Sequence, residues 1–252
     1  MQQLIVVLPT YNEAENLPRM VAALLGLSLR DTQLSVLVVD DNSPDGTGQL
    51  ADGLAREHSS RVSVVHRPRK EGLGKAYVDG FTRALAAGAE LVLQMDCDFS
   101  HQPKYIQPML DALPGADVVL GSRYTAGGST DEKWPWWRKL LSWFANSVYV
   151  RATLGVPVAD ATGGFRLWKR RTLIGMDFAN RLRSSGYVFQ VELAYVASRL
   201  GYVAKEVPIL FPDRDRGTSK MNLKIQLEAA SRVFDVRARH RKLTPKDRSA
   251  GG

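Results

Sequence analysis

Cysteine is almost missing from this chain of 252 residues: Cys97 stands alone, so neither a disulfide framework nor a structural cysteine–zinc centre can be built from it. That usage suits a reducing compartment. No uninterrupted apolar run approaches the roughly 18 residues of a membrane span. The start, Met1-Gln2-Gln3 followed by Leu4-Ile5-Val6-Val7-Leu8, has neither the basic flank nor the small-residue cleavage site of a signal peptide. These absences predict a soluble or peripheral protein on the cytoplasmic side. The four histidines, His58, His66, His101 and His240, are scattered with no partner pattern for nucleophilic catalysis. After the first apolar run Pro9-Thr10-Tyr11-Asn12-Glu13 stands where a dinucleotide-binding fold would put Gly-x-Gly-x-x-Gly, which counts against nicotinamide and flavin cofactors.

The charge is uneven: 34 Lys+Arg face 26 Asp+Glu, a net +8. Residues 237–252 hold Arg237, Arg239, Arg241, Lys242, Lys246 and Arg248 against the single acid Asp247, so most of the excess sits there. This end reads either as a disordered, solvated tail or as a tether to an anionic surface, each basic side chain contributing about 1 kcal/mol near such a leaflet. With so little excess left for residues 1–236, a nucleic-acid partner is not expected.

Through the first half, short apolar runs at Leu4–Leu8, Leu34–Val39, Val62–Val65, Leu91–Met95 and Val118–Leu120 alternate with segments of three- and four-residue apolar spacing. Runs without polar alternation predict strands buried on both faces, and the rhythm predicts a single α/β domain over 1–236 with a mostly parallel sheet flanked by helices. Ligands of such sheets bind beyond the carboxyl ends of the strands. The Gly72-Leu73-Gly74-Lys75 stretch reads as a turn and helix start rather than a phosphate loop.

Several strand ends turn abruptly acidic. Asp96-Cys97-Asp98 follows Leu91-Val92-Leu93-Gln94-Met95, so two carboxylates emerge where a buried strand opens into a loop. Hard cations such as Mg²⁺ take oxygen ligands, and two carboxylates with a diphosphate would complete a site. Cys97 is expected to point away into packing. Asp40-Asp41 closes the second strand; Ser43 and Asp45 read as helix caps, whereas Asp41, beside Tyr11 and Glu13, could accept hydrogen bonds from a base or ribose.

Taken together, Pro9 to Glu13, Val39-Asp40-Asp41-x-Ser43-Pro44-Asp45-Gly46-Thr47, Met95-Asp96-Cys97-Asp98-Phe99-Ser100-His101-x-Pro103 and Gly121-Ser122-Arg123-Tyr124 resemble the inverting family 2 glycosyltransferases of the GT-A, Rossmann-like fold. Asp160-x-Thr162-Gly163-Gly164-Phe165-Arg166-Leu167, Gly186-Tyr187-Val188-Phe189-Gln190-x-Glu192 and Asp213-Arg214-x-x-Gly217-x-Ser219-Lys220 are similar to its dolichol- or polyprenol-phosphate mannosyltransferase branch. The resemblance implies GDP-mannose as donor, with Pro9, Tyr11, Glu13, Val39 and Asp41 at guanosine positions and Asp96, Cys97 and Asp98 as the donor-and-metal motif. It implies Mg²⁺ or Mn²⁺ on Asp96 and Asp98, with Ser100 where some relatives carry a glutamine that helps the metal site. Arg123, Arg214 and Lys220 match basic donor-contacting positions, the last two with Asp96 and Asp98 as the catalytic set. The acceptor implied is a polyprenyl phosphate. Transfer of another sugar from a UDP donor to the same lipid class is the alternative; a non-catalytic basic membrane- or nucleic-acid-binding protein is a different class of reading.

Trp134, Trp136, Trp137 and Trp143 fall close together, and an amphipathic helix is predicted over about 135–153. At helical spacing Trp137, Leu140, Leu141, Phe144 and Val148 form one stripe, and Arg138, Lys139, Ser142 and Asn146 another. The stripe could pack on the sheet; indoles at a membrane interface and a basic pair near lipid phosphate favour a lipid-contacting helix, with Arg138 and Lys139 as acceptor contacts. A membrane surface, or a separate integral-membrane subunit, would then anchor the chain.

Overall fold

The computed structural model describes residues 1–131, 135–186, 188–212 and 223–250, apart from the side chains of 138, 145–147 and 223–230. The first half alternates β1 (Gln2–Thr10), α1 (Leu17–Leu25), β2 (Thr32–Asp40), α2 (Thr47–Glu57), β3 (Val62–His66), α3 (Leu73–Ala86), β4 (Leu91–Gln94), α4 (Ile106–Ala112) and β5 (Val118–Ser122). Then come β6 (Ser129–Thr130), α5 (Trp136–Trp143), a π-helical stretch over Phe144–Val150, α6 (Arg151–Leu154), β7 (Arg166–Lys169), α7 (Arg170–Met176) and α8 (Phe178–Arg181). The chain continues through α9 (Val188–Arg199), β8 (Ala204–Pro208), β9 (Leu210–Phe211) and α10 (Leu223–His240).

Seven strands form one sheet in the order β3-β2-β1-β4-β7-β5-β8, while β6 and β9 pair separately. The sheet is mostly parallel, as the buried apolar runs predict, and within it β7 runs antiparallel to both its neighbours, β4 and β5. Alternation along β1 explains the two covered faces. Leu4, Val6 and Leu8 pack with Leu17, Met20 and Leu24 of α1 and with Ile106 and Met109 of α4. Val7 turns the other way, toward Tyr77 and Phe81 of α3 and the apolar side of α9. Each such side chain contributes about 1.5–3 kcal/mol when fully buried. Gly80 lets α3 lie close to β1, because a Cβ there would stand 2.4 Å from Cγ1 of Val7.

One expectation of the fold changes. The basic end is not a disordered tail: α10 runs to His240, burying Val233, Val236 and His240 on one side. Beyond it Arg248 lies over the Tyr202 ring at 4.3 Å and donates to the Leu200 carbonyl at 2.8 Å, while the Ser249 amide bonds Gly175 at 3.0 Å. The tryptophan-rich helix forms over 136–154, and its apolar stripe faces away from the sheet, in keeping with the lipid-contacting reading rather than with packing on the sheet. Trp136 is 76% exposed and Trp137 56%, and Leu140, Leu141, Phe144 and Val148 are exposed as well.

Candidate active site

Three adjacent strand ends build the site. Register sets Pro9 beside Val39 and Thr10 beside Asp40, and the Asp41 amide bonds the Thr10 carbonyl at 3.0 Å, so Pro9, Tyr11, Val39 and Asp41 share one corner. Asp40 is structural: Thr10 Oγ1 donates to it at 3.3 Å, Ser43 Oγ at 2.6 Å and the Ser43 amide at 3.1 Å. Asp45 stands one place before Gly46, which is the N-cap of α2 and leaves it without a side-chain cap; Asp45 instead turns the chain, accepting from the Thr47 amide at 3.1 Å and, with its second oxygen, from the Ala14 amide at 3.1 Å. Ser43 caps nothing and instead ties the Asn12 amide to Asp40. Glu13 accepts from Asn16 Nδ2 at 2.8 Å at the approach to α1, and its charge reaches the Cys97 thiol.

Asp41 is buried against Arg67, a partner that sequence reading missed. Burial lifts the Asp41 carboxyl above its ordinary pKa, a rise that the Arg67 charge only partly offsets. Arg67 also reaches Glu71 at 3.1 Å, and Lys70 sits 3.6 Å from the centre of the Tyr11 ring. An aromatic face, a cation and a half-neutralised acid at one corner suit a polar, flat ligand such as a nucleobase.

The Asp96 to Ser100 turn lies at the end of β4, beside β1. Cys97 points into the apolar layer with Met95, and burial pushes its thiol well above the ordinary value. Phe99 takes a left-handed φ of 62°, which folds the chain back so that the Ser100 amide, 3.1 Å away, and its hydroxyl both donate to Oδ1 of Asp98. Ser100 therefore orients Asp98. Asp98 is buried, while the Asp96 side chain is 35% exposed.

Asp96 is held from two sides. Its amide donates to Nδ1 of His101 at 2.8 Å, and the buried Tyr77 hydroxyl donates to Oδ1 at 3.0 Å. His101 stacks on Phe165 at 5.0 Å and meets Phe211 edge-on; burial lowers its pKa, keeping the ring neutral and Nδ1 an acceptor. Gly164 covers this corner, for a Cβ there would stand 3.3 Å from His101 and 3.8 Å from Oδ1 of Asp96. The all-oxygen donor set of Asp96 and Asp98 fits a hard divalent cation. Among the described residues no cluster of three or more His, Cys, Asp or Glu side chains stands ready for a metal.

Arg123 is committed elsewhere. Its Nε and Nη2 each lie 2.7 Å from an oxygen of the buried Asp160, and Nη2 reaches Thr162 at 3.0 Å. Burial alone would raise Asp160, yet the Arg123 charge and hydrogen bonds hold it below its ordinary value. Arg123 thus braces the loop that carries Gly163 and Gly164 rather than presenting its fork. Fully buried Arg166, its pKa lowered to about 10 by burial, donates to the carbonyls of Gly163 and Ala161 and fixes the same loop from below. Lys139 lies on the half-buried side of α5, whose Ser142 meets the Tyr124 hydroxyl at 2.6 Å. Arg214 and Lys220 lie outside the described residues, as does the side chain of Arg138.

A profile described as "Glycosyl transferase family 2" matches residues 5–174, which spans every strand end just described up to β7. The chain belongs to glycosyltransferase family 2. Within the family it is 46% identical over 222 residues to the polyprenol monophosphomannose synthase of Mycolicibacterium smegmatis, covering 88% of this chain and 82% of that one. It is 43% identical over 233 residues to the undecaprenyl-phosphate mannosyltransferase of Micrococcus luteus, covering 92% of each. Among solved structures this family 2 chain superposes with a TM-score of 0.64 at 19% identity on glucosyl-3-phosphoglycerate synthase from Mycobacterium tuberculosis in complex with Mn²⁺ and UDP-glucose, covering 94% of this chain and 79% of that one. Mannosyl-3-phosphoglycerate synthase from Rubrobacter xylanophilus gives the same score and identity, over 94% and 73%. These two establish the shared GT-A fold.

Proposed function

We propose that this family 2 glycosyltransferase moves mannose from GDP-mannose to a polyprenyl (dolichyl-type) phosphate with inversion, releasing GDP. The observation that carries the reading is that Asp41 and the Asp96–Asp98 pair follow the carboxyl ends of β2 and β4, on either side of β1, in a chain so similar to two enzymes named for joining mannose to polyprenyl phosphates. The corner of Tyr11, Val39, Asp41 and Arg67 takes the guanosine; Pro9 and Glu13 complete it. Asp96 and Asp98 hold Mg²⁺ or Mn²⁺, which when bound supplies positive charge to the departing diphosphate. Arg214 and Lys220 add positive charge there, as the family resemblance implies.

A lipid phosphate has a second pKa of about 6, so near neutral pH it already offers an ionised oxygen. That oxygen attacks the sugar from the face opposite GDP, and no general base is required. The buried, neutral His101 is accordingly structural. Among the described residues no helix is long and apolar enough to cross a membrane. Contact with the lipid falls to the exposed face of Trp136, Trp137, Trp143 and Phe144, extended by Phe234, whose ring meets Tyr149 at 6.3 Å. Lys139 and Arg138 sit on that helix as acceptor contacts. The protein is peripheral on the cytoplasmic face, held by this surface or by a separate integral-membrane subunit.

Purified protein given labelled GDP-mannose and polyprenyl phosphate in vesicles is expected to move label into the organic phase, and a chelator to stop it. Label entering from UDP-glucose but not from GDP-mannose would overturn the donor assignment. No label from either would overturn the reaction.

A further inference from the structure

Tyr77 sits in the middle of α3, fully buried, with its ring parallel to that of Phe189 (centroids 6.1 Å apart, planes 2° apart) and tilted against Phe81 at 5.7 Å. For packing alone a phenylalanine would serve. The hydroxyl is the feature that packing leaves unexplained, because a buried O–H loses its water and must find an acceptor inside the protein. It finds Oδ1 of Asp96, 3.0 Å away, across 19 positions of sequence.

We propose that Tyr77 is a positioning residue for the reaction: clamped by Phe189, its hydroxyl fixes the rotation of the Asp96 carboxylate that receives the cation. The inference rests on the assignment of Asp96 to the donor-and-cation site. Two observations support it. The Asp96 backbone is already pinned through His101, so the side-chain torsions are the remaining freedom, and Tyr77 removes it. Phe189 belongs to the Gly186-to-Glu192 segment, whose part in the site no strand end explains; the stack gives it one, from α9 through Tyr77 to Asp96.

Outer hydrogen-bond partners of metal-ligating groups typically alter metal affinity about 10–100-fold when removed. The test is Mn²⁺ binding in the presence of GDP, read by electron paramagnetic resonance of the free ion, for wild type, Tyr77→Phe and Asp96→Asn. Tyr77→Phe is expected to bind Mn²⁺ roughly tenfold more weakly, to need correspondingly more Mn²⁺ for half-maximal transfer, and to melt within a few degrees of wild type. Loss of melting temperature with unchanged Mn²⁺ affinity would mean a packing role and overturn the inference. Wild type binding Mn²⁺, Asp96→Asn failing and Tyr77→Phe matching wild type would overturn the Tyr77 inference and leave the cation site standing. If wild type binds no Mn²⁺, or Asp96→Asn binds it as well as wild type, the cation assignment fails and this inference with it. Should Tyr77→Phe not fold, Phe189→Leu, which keeps the hydroxyl but loosens the ring beneath it, is expected to weaken Mn²⁺ binding in the same direction. Unchanged affinity there would count as refutation.

Discussion

Glu192, fully buried on α9, accepts a hydrogen bond from Nε2 of His240 at the last turn of α10, 2.8 Å away. The same oxygen takes Nη1 of Arg239 at 2.7 Å, and the other oxygen takes the amides of Arg183 and Ser184 at 3.0 and 2.8 Å. One carboxylate therefore joins the C-terminal helix to the loop that leads into α9 and Phe189.

Deleting residues 237–252 leaves that carboxylate buried without its two side-chain partners. A loss of about 3–5 kcal/mol is expected, the usual cost of breaking a buried ion pair. Urea unfolding measures it; a truncated chain as stable as the full one would contradict the packed C-terminal segment.

Acid should unfold the protein through the same groups. Burial would raise Glu192 and Asp160, but His240 and the Arg183 and Ser184 amides for one, and Arg123 for the other, hold each below its ordinary value of 4.5 or 3.8. The unfolded chain therefore binds protons first on acidification, so this stability is present above those values and is lost as pH falls through the folded pKa values. Melting temperature is expected to hold from pH 7 to about 5 and to fall steadily below, with a shallower slope in Glu192→Gln. A profile flat to pH 3 would refute the assignment.

Cys97 is buried with its thiol pushed up, so it should react with a thiol reagent at neutral pH only as fast as the chain opens. Cys97→Ala is expected to retain transfer within roughly twofold, because the thiol touches packing and not donor, and to lose about 1 kcal/mol of stability. Rapid native-state labelling, or a dead Cys97→Ala, would show the thiol faces the site.

The exposed indoles should act on lipid and not on fold. Trp136→Ser with Trp137→Ser is expected to reduce partition into anionic vesicles by roughly tenfold or more, since a large apolar side chain is worth about 1.5–3 kcal/mol when buried. Vesicle co-sedimentation and melting temperature together decide it; unchanged partition, or a collapsed fold, would remove the lipid-facing role.

The parallel strands were legible because β-branched runs without polar alternation can only be buried twice, and the acidic ends were legible because Asp41, Asp96 and Asp98 break those runs so sharply. Strand β7 was not: Arg166 and Lys169 bracket just two apolar residues, and the buried arginine bonds two carbonyls, of Gly163 and Ala161, that no spacing foretells. The family resemblance makes Arg123 a donor contact, and no spacing reveals its tie to Asp160, 37 positions away. Tyr77 was hidden inside an apolar helix face, where only its hydroxyl set it apart. The basic end misled through composition, although Val233, Val236 and His240 already carried a helical stripe.

The most direct measurement of the central claim is a crystal structure of the protein soaked with GDP-mannose and Mn²⁺. The account predicts a cation bound by carboxylate oxygens of Asp96 and Asp98 and by the donor diphosphate, with the guanine against Asp41. Both acids turned from an empty pocket, or a cation bound elsewhere with the donor, would contradict it.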